Sequence, residues 1–514
     1  EASEKELKNA QSYNKLLEQH TKAWSNLWKS YDIQIDGDRL SQKLIRLHTY
    51  HMLASASPHN ANIDASVTAR GLHGEAYRGH IFWDELFILP FYTLRTKEIS
   101  RSLLLYRFRR LAAAKDYAKQ HSYQGAMFPW QSGSDGREET QIVHLNPLTG
   151  KWGDDYSSLQ RHVSLAIAYN IWEYYNSTND KSFLEEAGAE MFLEICRFWV
   201  SKAKLDPKTG RYSIDEVMGP DEFHEHSINS PKGGLKDNAY TNLMVSWMLD
   251  KSKTILENIG CTFEENILIK LNIKHEELLK WEEVSKKLNL IVSEDGIIAQ
   301  FDGYFELLEL DWDSYREKYG NIYRMDRILK AEGKSADEFK LAKQADTLMT
   351  FFNLSEAEVN KILDRLGYSL PADYLKRNLH YYLKRTSHGS SLSRVVHGQL
   401  AQLINDELLS WQLYSEALGS DFVDIQGGTT GEGIHTGVMA STAMMAITTY
   451  AGIDVHDEIL NVNPHLPKYW NKISFNIEFK GIKYQFNITK ESVDVQTDKK
   501  ATLNINGVKT ILEP

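Results

Sequence analysis

Through most of the chain, apolar residues return every three to four positions; after about residue 458 they return at every second position. The first period predicts helices near 39–55, 83–94, 98–120, 158–176, 180–203, 236–258, 263–287, 340–352, 355–366, 390–404, 406–418 and 434–450. A polar helical lead-in precedes them, with Tyr13, Leu16, Leu17, Trp24, Leu27 and Trp28 at helical spacing, and DIQIDGD (32–38) reads as a break. The second period predicts strands at 472–478, 481–489, 491–496 and 501–510, with Asn506-Gly507 as a tight turn. The expected order is a helical segment (1–38), a large helical domain (39–455) and a small C-terminal antiparallel β-domain (456–514). So many helices in one domain fit an (α/α)6 barrel, six inner helices ringed by six outer ones, and equally an irregular helical array.

Long connections at 121–157, 204–235 and 288–339 interrupt the helices. Loops beyond about 12–15 residues are uncommon in compact domains and often carry function. These hold many of the aromatic and charged residues that follow.

Composition narrows the function. The 514 residues are 42% hydrophobic and 25% charged, as in a soluble globular protein. A net charge of −11 disfavours a nucleic-acid partner. No apolar run is long enough to span a bilayer, and no signal peptide is visible in the polar start. Cys196 and Cys261 cannot make a disulfide framework or a four-sulfur zinc site; as two reduced thiols they favour the cytoplasm over the periplasm. The 12 Trp and 26 Tyr, many beside Gly, Asp, Glu or His, suit either a large core or the apolar faces of sugars.

Four segments could carry chemistry. In EVMGPDEFHEH (216–226), Asp221, Glu222 and Glu225 lie among apolar and aromatic residues, where burial would let a carboxylic acid keep its proton; an acidic helix start is the other reading. In GGTTGEGIHTG (427–437), Glu432 and His435 stand among glycines that let a backbone approach a ligand. In LKRTSHGSSLS (383–393), Arg385, His388, Ser390, Ser391 and Ser393 suit an anion or a helix cap. YRGHIFWDELF (77–87), FPWQ (128–131) and KQAD (343–346) set charges beside bulky apolar groups, Asp84 most of all. His224-Glu225-His226 lacks the i,i+4 spacing of a helical metal site, so neither metal nor other cofactor is expected.

Together, GHIFWDELF, GAMFPWQSGSDGREET, QRHVSLAIAYNIWEYY, VMGPDEFHE, DNAYTN, KQADTLM, HGSSLS and GGTTGEGIHTG resemble glycoside hydrolase family 65 from about residue 40 to the C-terminus. That family includes inverting disaccharide phosphorylases and inverting α-glucoside hydrolases. The resemblance implies an (α/α)6 barrel with a C-terminal β-sheet domain and Glu222 as general acid. Trp83 and Asp84 would hold the glucose of the −1 subsite, with Lys343 and Gln344 on the same sugar. Tyr77, Arg78, Trp130 and His162 complete the expected sugar contacts. In hydrolytic members a second glutamate, Glu432 here, would activate water. In phosphorolytic members His388, Ser390, Ser391 and His435 would surround inorganic phosphate. Family members usually carry a β-sandwich before the helical linker; this chain begins at the linker, so that domain is expected to have been removed, to be a separate chain or never to have been present. A homodimer is compatible with the resemblance.

The favoured expectation is an inverting α-glucosidase acting on a small α-glucoside, kojibiose- or trehalose-like. A carboxylate at the nucleophile position activates water and repels phosphate. The alternatives are an inverting disaccharide phosphorylase releasing β-glucose 1-phosphate, and a non-catalytic carbohydrate-binding protein.

Overall fold

A computed structural model describes residues 2–72, 74, 76–227, 232–424 and 430–514. Six helices form a closed ring: α1 (Glu85–Thr93), α2 (Val163–Thr178), α3 (Ala239–Ile259), α4 (Leu348–Asn353), α5 (Ser391–Leu403) and α6 (Thr436–Met445), each packed on the next and α6 on α1. Their sequences explain the position. All ten residues of α6, TGVMASTAMM, are buried, and α1 and α2 are apolar nearly all round, as helices enclosed by other helices must be. Helices outside the ring are amphipathic. Arg39–Ser55 buries Ser41, Leu44, Ile45, His48, Thr49, Met52 and Leu53 and leaves its other face in water. It packs on α6, while Lys97–Arg109, Ala189–Lys202, His275–Lys287 and Glu407–Leu418 cover other sides. This is the (α/α)6 barrel that the sequence pattern allowed and the family resemblance implied.

Several elements differ from the periodicity reading. The helix expected at 340–352 begins at Leu348. Residues before it are irregular, with one isolated bridge at Ala342, because the neighbouring loop supplies its backbone bonds: Ala342 N–H donates to Arg385 O (2.8 Å), and Ser387 N–H to Ala342 O (2.9 Å). The helix expected over 263–287 splits at Asn272, which is left-handed at φ 51°. Helices Trp312–Tyr319, Met325–Ala331 and Tyr374–Leu383 were not foreseen.

The C-terminal strands form two four-stranded sheets rather than one. Lys472–Phe479, Ile482–Thr489 and Val493–Thr497 make an antiparallel meander with alternating burial. Its edge strand, Gln34–Asp36, comes from the segment read as a break; three residues show no alternation long enough to recognise without their partner. The second sheet is mixed: Ala501–Ile505 pairs in parallel with Leu460–Val462 and antiparallel with Val508–Leu512. Asn506 and Gly507, both at positive φ, make the foreseen turn.

The candidate residues sit where the inner helices begin. Asp84, His162, Asn238, Ser390 and His435 immediately precede α1, α2, α3, α5 and α6, and Asp346 lies two residues before α4. These starts converge on one end of the ring.

Candidate active site

That end holds a cavity of about 800 Å³, within the size range of small-molecule sites. Glu222, Glu432, Tyr77, Arg78, Trp83, Asp84, Trp130, Lys343, Gln344, Ser390, Ser391 and His435 all line it. His162 and His388 do not reach it. His162 is buried behind the tryptophans, its ring 4.9 Å from that of Trp83 and 5.2 Å from that of Trp130, and burial lowers it to about 3. His388 is half-buried against His397 and Ser393, and desolvation pulls it well below the usual imidazole range. Both stand behind residues that line the cavity.

Trp83 and Trp130 are 4% and 6% exposed, and what they expose faces the cavity, as an apolar platform for a sugar ring should. The loop GREET secures them: the Glu138 carboxylate accepts from the Trp130 and Gln131 N–H groups at 2.8 and 3.1 Å. Asp84, also nearly buried, lies 3.1 Å from His435 Nε2; the other ring nitrogen is 2.7 Å from Ser391 Oγ. Asp421 accepts the His435 backbone N–H at 2.7 Å. An unbroken hydrogen-bonded chain, Asp84–His435–Ser391, therefore joins the starts of three inner helices.

Glu222 stands on a different loop at φ 63°, a conformation that costs a non-glycine residue about 1–3 kcal/mol and that clusters at functional sites. Tyr77 and Arg78 share that conformation. Lys343 Nζ donates to Glu222 Oε2 at 2.7 Å and Gln344 Nε2 to Oε1 at 2.9 Å, so K-Q-A-D and G-P-D-E meet carboxylate to amine. Beneath them lies a buried network. Asp221 bonds His224 Nδ1, accepts from Gln300 Nε2 at 2.9 Å, and its N–H donates to Asp346 Oδ2 at 3.3 Å. Asp346 accepts in turn from Asn238 Nδ2 at 2.8 Å. Burial opposes the His224 charge, but the Asp221 carboxylate outweighs it and raises the group to about 9. Burial first, then Asp221, raises Asp346. Gly219 is required here: a Cβ would stand 1.9 Å from Asp346 Oδ2.

Glu432 lines the same cavity as Glu222 and is ion-paired there. Its side chain is 48% exposed and its Oε2 lies 3.1 Å from Arg70 Nη2. Arg70 Nη1 also holds the Gly433 carbonyl at 3.2 Å. The carboxylate thus has a cationic partner in the wall. The preceding Gly427, Gly428 and Thr429 of the glycine-rich segment lie outside the described residues.

Sequence reasoning missed Arg70, Tyr323, Arg324, Arg327 and Lys330, all of which line the cavity. The spacing 324, 327, 330 was readable as one helical face, but the segment itself was read as loop. Among the described residues no group of three His, Cys, Asp or Glu is placed to hold a metal ion, and no helix is long and apolar enough to cross a membrane.

Comparison with known proteins agrees with the motifs. The glycosyl hydrolase family 65 central catalytic domain matches residues 46–444 and the family's C-terminal domain matches 453–510. The chain is 46% identical over 483 residues to trehalose 6-phosphate phosphorylase of Lactococcus lactis subsp. lactis, covering 93% of this chain and 61% of that protein. It is 33% identical over 506 residues to kojibiose phosphorylase of Halothermothrix orenii, covering 96% and 60%. The chain thus spans about three fifths of the length of these curated relatives. A solved structure of a candidate kojibiose phosphorylase from the human microbiome superposes with a TM-score of 0.82 at 28% identity, covering 98% of this chain and 69% of the other.

Proposed function

The chain belongs to glycosyl hydrolase family 65, and from that premise we propose that it is an inverting phosphorylase, transferring glucose from an α-linked disaccharide to inorganic phosphate. This reverses the order of preference drawn from the sequence, where hydrolysis led. The observation that carries it is the pairing of Glu432 with Arg70: the carboxylate assigned to water activation is engaged, while Ser390, Ser391 and His435, the last bonded to Asp84, line the cavity. Hydroxyl, imidazole and the partial positive charge of helix starts suit a phosphate oxygen. Relatives named for phosphorolysis of trehalose 6-phosphate and kojibiose support the same reading and make a disaccharide phosphate a candidate substrate.

In this reading the glucose to be transferred rests on Trp83 and Trp130 and bonds Asp84. Glu222, protonated, gives its proton to the glycosidic oxygen as the C1–O bond breaks. A phosphate oxygen at Ser390, Ser391 and His435 attacks C1 from the opposite face and forms the new C1–O bond. The products are β-glucose 1-phosphate and the free acceptor sugar; Glu222 regains a proton from solvent. Phosphate needs no base, which agrees with the Arg70–Glu432 pair.

Incubation with trehalose, trehalose 6-phosphate, kojibiose and nigerose, with and without phosphate, tests the reading. Phosphate-dependent β-glucose 1-phosphate is expected. Free glucose released at equal rate without phosphate would instead establish a hydrolase.

A further inference from the structure

Helix Met325–Ala331 and the residue before it place Arg324, Arg327 and Lys330 at i, i+3 and i+6, on one face, and all three line the cavity. The other face is fixed by packing: Met325, Ile328 and Leu329 form a small apolar cluster with Leu310, Ile322 and Phe223, the residue next to Glu222. The helix is also strapped to the hairpin at 143–154. Asn146 Nδ2 donates to the Arg327 carbonyl at 3.2 Å, and Lys330 Nζ faces His144 Nε2 at 3.2 Å. The cationic face is therefore held in position beside the loop that carries the acid.

Its charges are incompletely answered. Arg324 bonds Asp326 through two nitrogens, at 2.9 and 2.6 Å. Lys330 has Glu225 at 3.5 Å, a carboxyl that burial pushes up to about 7. Among the described residues the Arg327 guanidinium has no hydrogen-bond or ion-pair partner, and neither has that of Arg78 in the same cavity. Burial, and then the neighbouring Arg324, lower Arg327 below the usual arginine value against the opposing pull of Asp326 and Glu432. A half-buried guanidinium that no anion bonds directly gains from one that does.

We propose that Arg327 and Lys330, continued by Arg324, form a subsite for a phosphate monoester on the acceptor sugar, so that the leaving group of the reaction is a sugar phosphate. The proposal rests on the phosphorolytic reading and deepens it. A phosphoryl dianion here has two possible sources, the substrate's ester or the inorganic nucleophile, and position chooses between them. The nucleophile must approach C1 from the face opposite the acid. The helix that carries the row packs through its other face on Phe223, next to the acid, Lys330 lies 3.5 Å from Glu225 of the same loop, and the row extends about 9 Å from the first cation to the last at 1.5 Å per residue. That is the leaving-group side. Arginine's planar fork matches a terminal phosphate, and lysine adds a point charge at the mouth.

Synthesis from β-glucose 1-phosphate tests this, with glucose 6-phosphate or glucose as acceptor. The unaltered protein should favour glucose 6-phosphate, and Arg327→Met or Lys330→Met should shrink that preference by about 10- to 100-fold, as expected for lost charge-assisted hydrogen bonds. Lys330 is exposed, so its variant guards against a folding defect at Arg327. An unchanged preference overturns the proposal. So does a rise in KM for inorganic phosphate as large as that for glucose 6-phosphate, because the row would then serve the nucleophile. Calorimetric titration with glucose 6-phosphate and glucose separates the two readings. Binding preference for glucose 6-phosphate, lost in Arg327→Met, sustains the subsite even where β-glucose 1-phosphate is not used, in which case phosphorolysis is the reading that fails. Equal binding of both sugars overturns the subsite.

Discussion

On the barrel side of the cavity Asp84, His435 and Ser391 bond one another, and Glu222 is held by Lys343 and Gln344; on the side of helix Met325–Ala331, Arg327 finds no partner among the described residues. The first wall grows from the starts of the inner helices, and its side chains are fixed before any ligand binds. The second belongs to an inserted segment with an apolar cluster of its own. A reacting centre gains from groups already oriented, since reorganising them during the reaction would raise the barrier. A recognition subsite gains from charges that a ligand completes. Substitutions on the first wall should thus lower the rate with every substrate, and those on the second should sort substrates by charge.

The largest effect is expected at the acid. Glu222→Gln keeps the shape and the Gln344 contact but removes the transferable proton, and the rate on a natural disaccharide should fall by about 10²- to 10⁴-fold. A fluoride leaving group needs little protonation, so turnover of a glucosyl fluoride should fall much less. Equal losses on both substrates would remove proton donation from the account of Glu222.

Asp84→Ala comes next. It deletes a nearly buried carboxylate that lines the cavity and orients His435. A charge-assisted hydrogen bond contributes about 1.5–3 kcal/mol, so kcat/KM should drop about 10- to 150-fold whichever acceptor is attached. A loss confined to phosphorylated substrates would blur the distinction between the walls, for it would place Asp84 with the recognition charges.

Much of this arrangement was legible in the sequence, and unevenly so. Strands such as Lys472–Phe479 announce themselves because alternate residues face core and solvent. α6 is visible as an apolar run after a glycine-rich segment. The K-Q-A-D segment misled, since its apolar spacing is helical while the Lys343 backbone bonds Asp221 and Gly389 and its Lys343 and Gln344 side chains bond Glu222. Only the folded neighbour decides such a case. His162 and His388 were read as ligand contacts from their motifs, yet neither lines the cavity: His162 is buried behind Trp83 and Trp130, and His388 packs on His397. Arg327 was missed for the opposite reason: its spacing with Arg324 and Lys330 was in the sequence, but the segment was read as loop, and only a helix puts the three on one face.

A smaller effect is expected at Glu432. If its role is to hold Arg70 and the adjoining turn, Glu432→Gln should retain a hydrogen bond to the guanidinium and reduce phosphorolysis by less than about tenfold, the order of one exposed ion pair. Azide should restore nothing, because no base has been removed. Complete loss of activity with azide rescue would return Glu432 to water activation and reinstate hydrolysis.

The smallest effect is a pH dependence of stability. His224 rises in the folded protein to about 9 from an ordinary value near 6.5, because Asp221 outweighs its burial. Its stabilising contribution is therefore fully present below about pH 6.5 and is lost as pH rises through 9. Glu225, raised to about 7 by burial, also makes stability fall as pH rises, but between its ordinary carboxyl range and 7, an earlier window. His456, raised to about 10 by Asp454 and other carboxylates against the opposing effect of burial, shares the later window. A comparison with His224→Asn isolates the one pair: melting temperatures measured from pH 6.5 to 9 should fall more steeply in the unaltered protein than in the variant. Parallel curves would mean that the Asp221–His224 contact is maintained without a proton on the imidazole, and that the support beneath Glu222 is a neutral hydrogen bond.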